Sequence, residues 1–448
     1  MRLLCASDLH LGRQPAGLPV HLGLDPARTA TSTVWDALVE LALDRDIDAV
    51  LLAGNLIDRE NRSFEPLGPL ERGLMILRQH GIPVYAIAGD HDFDVLRRVG
   101  HANADADPTG AFHVIGRDGR WEQAAIEAAD GEKVTVVGWS APGPTHPGTP
   151  FTGFTPPPED DGPVIAILHA SIVDEDEQLA PGDYAPVTRH DLGGWPVDLW
   201  VVGHGHTPHF DTDDVVPLLK PGSGSPLHPR DRGPRGAWIV DIAETDAART
   251  VEAHLVPLAP VRFAAVELDL AGVTELAEVE NRVIGAVHDA LMDATGDDPG
   301  GYLIFVGCDL TLRGETPLHA LIPELVDDLT RTVDVQERSV TAAIVSITID
   351  TRPAIDLAPL VGRPDPVGEI ARLLAALDAD QDGSTDRLSP AQCDLLQRTT
   401  TRLRAAHRSR VFTAIGGDPE PDLATARAVL RRESWTLLDA LVQQRGME

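Results

Sequence analysis

Gly203-His204-Gly205-His206 sets two imidazoles two residues apart in a glycine-flanked turn, directly after the mostly apolar run 197–202. On a strand that spacing points both rings to one side, and in a glycine loop both can turn toward one point. Neutral imidazole is the commonest protein ligand for metal ions. Four further polar turns repeat the arrangement: Asp8 with His10, Asn55 with Asp58, Asp90-His91-Asp92, and His169, each just after an apolar stretch. Oxygen and imidazole donors without thiolate suit manganese, iron or zinc better than they suit a structural cysteine–zinc site. Asp8, His10, Asn55, Asp90, His169, His204 and His206 make seven candidate ligands. That exceeds what one ion takes from protein while leaving room for substrate. Two ions about 3.5–4 Å apart is the economical arrangement, and it serves phosphate-ester hydrolysis.

For these turns to converge, the elements before them must share a sheet edge. Residues 2–6, 47–53 and 84–88 read as buried strands, with helical stripes at 29–43 and 67–79 between them. Successive β-α-β units imply parallel strands joined by right-handed crossovers. Their polar turns then fall at the carboxyl edge, where open α/β sheets hold ligands. Further strands are expected at 111–115, 133–139, 164–168 and 198–202, closer in sequence and therefore read as antiparallel. Strands at 216–219, 237–242 and 251–257 are expected to complete a second sheet. Beyond residue 260 the pattern becomes strand, helix, strand, helix, strand over 261–349, a compact α+β module. A proline-rich linker at 353–366 follows, then amphipathic helices from 367 to 448, with Ser389-Pro390 as an N-cap and first helical residue. Such helices either pack on the body or await a partner.

The chain has 448 residues and a formal net charge of −33, with only two lysines, Lys133 and Lys220. That balance opposes nonspecific adhesion to nucleic acid or anionic membranes, which a basic surface normally supplies. It suits a salt-rich cytoplasm, since the screening length falls from ~10 Å at 0.1 M salt to ~3 Å at 1 M. The melting temperature is therefore expected to rise steadily from 0.1 M to 2 M KCl; full stability at low salt would count against this reading. No stretch approaches the ~20 apolar residues that span a bilayer, and the N-terminal apolar run is too short for a signal peptide. A cytoplasmic protein with no membrane association is expected. The three cysteines, Cys5, Cys308 and Cys393, are far apart and suggest neither a disulfide framework nor a zinc ribbon.

Taken in order, the five turns resemble the calcineurin-like metallophosphoesterase pattern DxH, GDxxD, GNH[DE], a lone His, and GHxH, over residues 1–260. The resemblance implies an α/β fold: a four-layer metallophosphoesterase β-sandwich flanked by helices, with the α+β module of residues 261–352 as a capping domain and a C-terminal helical segment. It implies a dinuclear metal-dependent phosphoesterase. Asp8, His10 and His206 would hold one ion and Asp90, His169 and His204 the other, with Asn55 at the bridging position. His91 would be the histidine that is not a ligand, giving a proton to the leaving oxygen or stabilising its charge. Asp58 and Asp92 would orient histidines from behind. Two blocks depart from the pattern reciprocally: Asn55 stands where the family has its bridging aspartate, and Asp90 where it has asparagine. The number of ligating carboxylates stays at two while their location changes.

Within the family, the opening Met-Arg-Leu-Leu-Cys-Ala-Ser-Asp-Leu-His-Leu-Gly is similar to SbcD- and YhaO-like DNA-repair exonucleases. That likeness implies a manganese-dependent DNA exonuclease or endonuclease subunit, a homodimer, and a coiled-coil ATPase partner of the SbcC type docked on the C-terminal helices. The chain carries no Walker A motif, so an ATP-driven step would come from that partner. The acidic balance weighs against DNA binding; Arg120, Arg230, Arg232, Arg235 and Arg262, and the cluster at 402–410, are the nearest basic candidates. Two other readings share the first domain: a phosphatase or phosphodiesterase acting on small molecules or phosphoproteins, and a non-catalytic scaffold with a weakened metal site. Pro221-Gly222-Ser223-Gly224-Ser225-Pro226 could cradle a phosphate through its backbone amides, while His146, His209 and His228 read as surface histidines.

Overall fold

The computed structural model describes residues 1–60, 64–96, 98–99, 111–128, 131–155, 162–174, 183–212, 216–244, 249–378, 388–408 and 421–444. The chain divides into two compact units, one of Met1–Ala265, Val287–Asp309 and Asp334–Val345, the other of Val266–Ala286, Leu310–Val333 and Ser346–Glu448.

In the first unit, β1 (Arg2–Ala6), β2 (Ala49–Ala53), β3 (Val84–Ile87) and β4 (Phe112–Val114) run parallel and adjacent. Helices α1 (Pro26–Thr29) and α2 (Ser32–Asp44) link β1 to β2, and α3 (Phe64–Gln79) lies between β2 and β3. On the other side of β1, β11 (Gly236–Glu244) and β12 (Arg249–Pro257) add antiparallel, giving the order β12-β11-β1-β2-β3-β4. The second sheet runs β5-β6-β7-β8-β10-β9, from β5 (Trp121–Glu127), β6 (Lys133–Trp139), β7 (Val164–His169), β8 (Leu199–Gly203), β9 (His209–Asp211) and β10 (Leu218–Lys220).

Two expectations are corrected here. Strands β4, β6, β7 and β8 are parallel rather than antiparallel, β4 beside β3 and β6, β7 and β8 beside one another. A parallel return needs a crossover of about a dozen residues or more. The segments 140–163 and 170–198 are long enough, although mostly loop, with only the short helix α4 (Arg189–Gly193) among their described residues. And β11 and β12 extend the first sheet rather than completing the second. Strand β5, whose residues alternate exposed and half-buried, carries no apolar run and escapes a pattern reading.

Alternation along the strands builds the layers. Leu3, Cys5, Leu51 and Ile87 face Ile165, Ile167, Leu199 and Val201 of the second sheet. Leu4, Val50 and Leu52 face the other way, onto Trp35, Leu38 and Leu41 of α2 and Leu70, Leu74 and Leu77 of α3. Val137, Trp139, Leu168, Trp200 and Val202 are covered on the outer face by Phe154, Tyr184 and Leu192. Strands buried on both faces must be apolar throughout, which is why they read as continuous hydrophobic runs. The order of layers is helices, sheet, sheet, and an outer cover of loop and α4.

A third sheet runs β13-β14-β16-β15, from β13 (Val261–Asp269), β14 (Phe305–Glu315), β15 (Asp334–Glu337) and β16 (Val340–Arg352), accompanied by α5 (Leu276–Gly296) and α6 (Ile322–Thr332). After the short helix α7 (Ala358–Val361) come α8 (Pro366–Asp378), α9 (Pro390–His407) and α10 (Leu423–Gln444). These last helices fold on one another. Val367 and Leu374 of α8 meet Trp435 and Leu438 of α10, and Leu377, Leu388, Leu396 and Ala426 form a second cluster. Ser389 caps α9 through a reciprocal pair of bonds with Gln392. Among the described residues, no helix is long and apolar enough to cross a membrane.

Candidate metal centre

The turns after β1, β2, β3, β7 and β8 meet at the carboxyl ends of the strands. Asp8, His10, Asn55 and His204 all have positive φ, at 49°, 44°, 53° and 86°. For residues bearing a Cβ that backbone is strained by roughly 1–3 kcal/mol each, and such strain clusters at functional sites. The sharp turns are possible because the strands are locked by the sheet beneath them. Gly54, at φ +88°, is one residue where no side chain fits, since a Cβ there would lie 2.4 Å from His169 Nδ1.

Three groups of three ligand atoms form: Asp8, His10 and His206; Asp90, His169 and His204; and His10, Asp58 and His91, which shares His10 with the first. Two of the four imidazoles in the first two groups, His10 and His169, are aimed by a bond on the far nitrogen. His10 Nδ1 lies 2.9 Å from Asp58 Oδ2, and His169 Nδ1 lies 3.0 Å from the Ala53 carbonyl oxygen. Donation from Nδ1 leaves Nε2 free to bind an ion. His10 Nε2 is buried without a hydrogen-bond partner and lies 3.8 Å from Asp8 Oδ1. A buried nitrogen lone pair facing a carboxylate fits a divalent cation, so the first group passes a chemical test of its own. In the second, His169 Nε2 approaches Asp90 Oδ1 at 3.1 Å and His204 Nδ1 lies 3.7 Å from the same oxygen.

Electrostatics follow from that clustering. Burial works against the charged form of Asp90, yet the adjacent His169 and His204 hold its carboxyl well below the usual range. His169 loses hydration by burial, but Asp90 and Asp8 push it up to about 9. Asp8 is also shifted down; burial opposes the shift and His169, His10 and His206 outweigh it. Each anion is stabilised by positive neighbours, the arrangement that divalent ions would take over.

His91 belongs to neither of the first two groups and falls in the third, with His10 and Asp58. Its ring meets His10 edge to face at 4.7 Å, and its Nε2 is 3.9 Å from Asp90 Oδ2. The Arg59 N–H points at His91 Nδ1 from 3.4 Å, which suits the tautomer with its proton on Nε2. Burial and the neighbouring His10 lower its pKa. Asp8, His10, Asn55 and His169 form a buried floor, whereas the side chains of His91, His204 and His206 are 27%, 25% and 36% exposed and form the rim.

Asp58 touches His10 at 2.9 Å, lies 3.8 Å from His91 Nδ1, and accepts from Arg13 Nη1 at 3.4 Å. Asp58→Ala is expected to weaken divalent-ion binding about 10–100-fold, read by calorimetric titration with Mn2+; unchanged affinity would remove Asp58 from the site. Asp92 differs from expectation. Its carboxylate accepts from the backbone N–H groups of Gly89, Leu56 and Ile57, at 2.8, 2.7 and 3.3 Å, so it ties two loops together and orients no histidine.

Two residues of the site escape a sequence reading in this role. Asp231 lies 3.8 Å from His206 Nδ1. Arg235, 2% exposed, donates to the His206 carbonyl, to Ser223 Oγ at 2.8 Å and to the Asp231 carbonyl at 3.1 Å. Arg235 is therefore a buried brace and not part of a basic face. Arg262 is also buried, against Asp297, while Arg232 pairs with Asp309. The segment 221–226 is no open phosphate cradle: Ser223 and Ser225 are buried, and the Ser223 N–H donates to the His206 carbonyl. The clustering of Asp231, Arg232 and Arg235 downstream of the histidine turn is the only sequence signal that could have flagged the brace. His209 and His228 are exposed, whereas His146 is half-buried beside Trp139. In the arginine cluster, positions 409–410 lie outside the described residues.

Residues 1–208 match the calcineurin-like phosphoesterase family. An uncharacterized metallophosphoesterase, YhaO of Bacillus subtilis, is 26% identical over 250 residues, covering 54% of this chain and 57% of that protein. The chain thus spans little more than half the length of that relative. A DNA double-strand break repair protein, Mre11 of Haloferax volcanii, is 26% identical over 454 residues, covering 95% of this chain and 85% of its own. Among solved structures, a dimetal phosphatase from Danio rerio aligns at 12% identity and a TM-score of 0.32, over 54% of this chain and 92% of its own. The match to the calcineurin-like phosphoesterase family is confined to residues 1–208, the stretch that carries the Asp8/His10/His206 and Asp90/His169/His204 groups.

Proposed function

We propose that the protein is a metal-dependent DNA exonuclease or endonuclease subunit that works with a coiled-coil ATPase of the SbcC type. The observation that carries the hydrolytic part is the facing pair of carboxylate–histidine groups, Asp8/His10/His206 and Asp90/His169/His204. When bound there, two divalent ions supply charge stabilisation at the phosphate and a water of lowered pKa. Mixed oxygen and nitrogen donors suit Mn2+. The chain's own residues do the rest. Asp58, Asp231 and the Ala53 carbonyl aim the imidazoles, the buried floor keeps bulk water from the ligands, and His91 holds a proton at the exposed rim where a scissile phosphate would approach.

The DNA part is supported by the Haloferax relative, whose likeness runs through most of both chains. In this reading residues 1–260 are the nuclease domain, 261–352 a capping domain, 353–366 a linker and 367–448 the partner-binding segment. Leu423 and Leu437 of α10 are 39% and 52% exposed although their helix packs on α8 and α9, which leaves apolar surface for a partner helix. A homodimer is part of the same proposal.

The test is cleavage of end-labelled single- and double-stranded DNA by the purified chain with Mn2+, beside a small phosphodiester, in salt matched to stability. DNA cleavage that His91→Ala removes supports the proposal. Cleavage of the small ester alone moves the substrate to a small molecule, and neither activity, with no ion bound, leaves a scaffold.

A further inference from the structure

We infer that Asn55 is not a metal ligand: its amide is a hydrogen-bond strut between two carboxylates, so the two ion sites share no protein ligand. The inference rests on the reading that both carboxylate–histidine groups bind divalent ions. Asn55 is 2% exposed, at the centre of the floor. Its Nδ2 donates to Asp8 Oδ1 at 3.1 Å and to Asp90 Oδ1 at 3.1 Å. Its Oδ1 accepts the backbone N–H of His91 at 3.0 Å. An amide has two N–H donors and one oxygen, and here every one of them has a partner.

The orientation is determined by what surrounds it. Turning the amide to offer its oxygen to an ion would set its NH2 against the His91 N–H, two donors face to face, and would strip both carboxylates of a donor. The oxygen end is also enclosed, since a Cβ on Gly89 would lie 2.2 Å from Asn55 Oδ1. An unpartnered buried donor or acceptor carries the full penalty of lost hydration, so the observed orientation is strongly preferred.

The identity of residue 55 is thereby tied to that of residue 90. With Asp8 and Asp90 both anionic and both reaching toward position 55, a neutral double donor there satisfies each of them. A carboxylate in its place would set a third anionic oxygen beside two others. Each ion then relies on one aspartate and two histidines of its own: Asp8, His10 and His206 for one, Asp90, His169 and His204 for the other.

The test is calorimetric titration of the whole chain with Mn2+, comparing wild type, Asn55→Ala and Asn55→Asp. Wild type is expected to take two ions. Asn55→Ala is expected to keep both, each dissociation constant within about threefold of wild type, because no ligand is lost. Asn55→Asp, which adds a shared anion, is expected to bind at least one ion more than tenfold tighter, and to have a lower melting temperature than wild type in chelator and a larger rise on adding Mn2+. Loss of an ion, or tenfold weaker binding of both, in a folded Asn55→Ala protein would make Asn55 a ligand and overturn the inference alone. If Asn55→Ala does not fold, Asn55→Asp decides: no tightening and no change of melting in chelator overturns the strut. Fewer than two ions on wild type would overturn the inference together with the two-ion reading beneath it.

Discussion

Replacing His91 by alanine is expected to slow phosphodiester cleavage about 10²–10⁴-fold, a barrier increase of about 3–5 kcal/mol, while two Mn2+ ions still bind. The ring sits outside the Asp8/His10/His206 and Asp90/His169/His204 groups, so its loss removes no donor from either of those two. It is the rim histidine whose Nε2 faces the centre, 3.9 Å from Asp90 Oδ2, with its other nitrogen turned toward Arg59 N–H and Asp58. Burial and His10 lower its pKa while Asp90 and Asp58 oppose them, so the neutral ring donates its Nε2–H as a hydrogen bond to the leaving oxygen, and only its protonated form could hand over a proton. Single-turnover rates on end-labelled DNA and Mn2+ stoichiometry on the same preparation check it. A rate within threefold of wild type would remove His91 from the chemistry. Loss of an ion would reassign it as a ligand.

The second large effect is expected at Asp90. Asp90→Ala should lower the rate at least about 10³-fold, since an ion at such a site supplies several kcal/mol of charge stabilisation and each 1.36 kcal/mol is tenfold in rate. Asp90 Oδ1 is the shared contact of the second group, 3.1 Å from His169 Nε2 and 3.1 Å from Asn55 Nδ2. Without it His169, wholly buried, loses its closest negative partner and keeps Asp8 and Asp92 to offset its lost hydration. Mn2+ stoichiometry should fall from two to one while the Asp8/His10/His206 group still fills. Retention of two ions with activity within tenfold of wild type would show that Asp90 is dispensable.

The fold class and the convergence of the site were legible because both rest on local patterns. Strands buried on both faces must be continuous apolar runs, and each such run here is followed by a polar turn. Two β-α-β units then send those turns to one edge. The strand polarity of the second sheet was not legible, because it depends on long loop crossovers that carry no periodic signal. Nor was β5, whose single buried residue, Ile126, leaves no apolar run to detect.

What the sequence by itself determined is therefore the set of residues that can meet: Asp8, His10, Asn55, Asp90, His91, His169, His204 and His206, all at the ends of strands that hydrophobic burial forces into adjacent positions. Tertiary structure alone decided what each does once there. Asn55 reaches Asp90 across 35 positions, the His204 N–H reaches Asp8 across 196, and Arg235 braces His206 across 29. Asp92, a plausible partner for histidines by type, faces three backbone N–H groups instead. The direction of an amide or carboxylate is set by which donors and acceptors the packed strands leave unpaired, and that inventory exists only after the sheets have closed on each other.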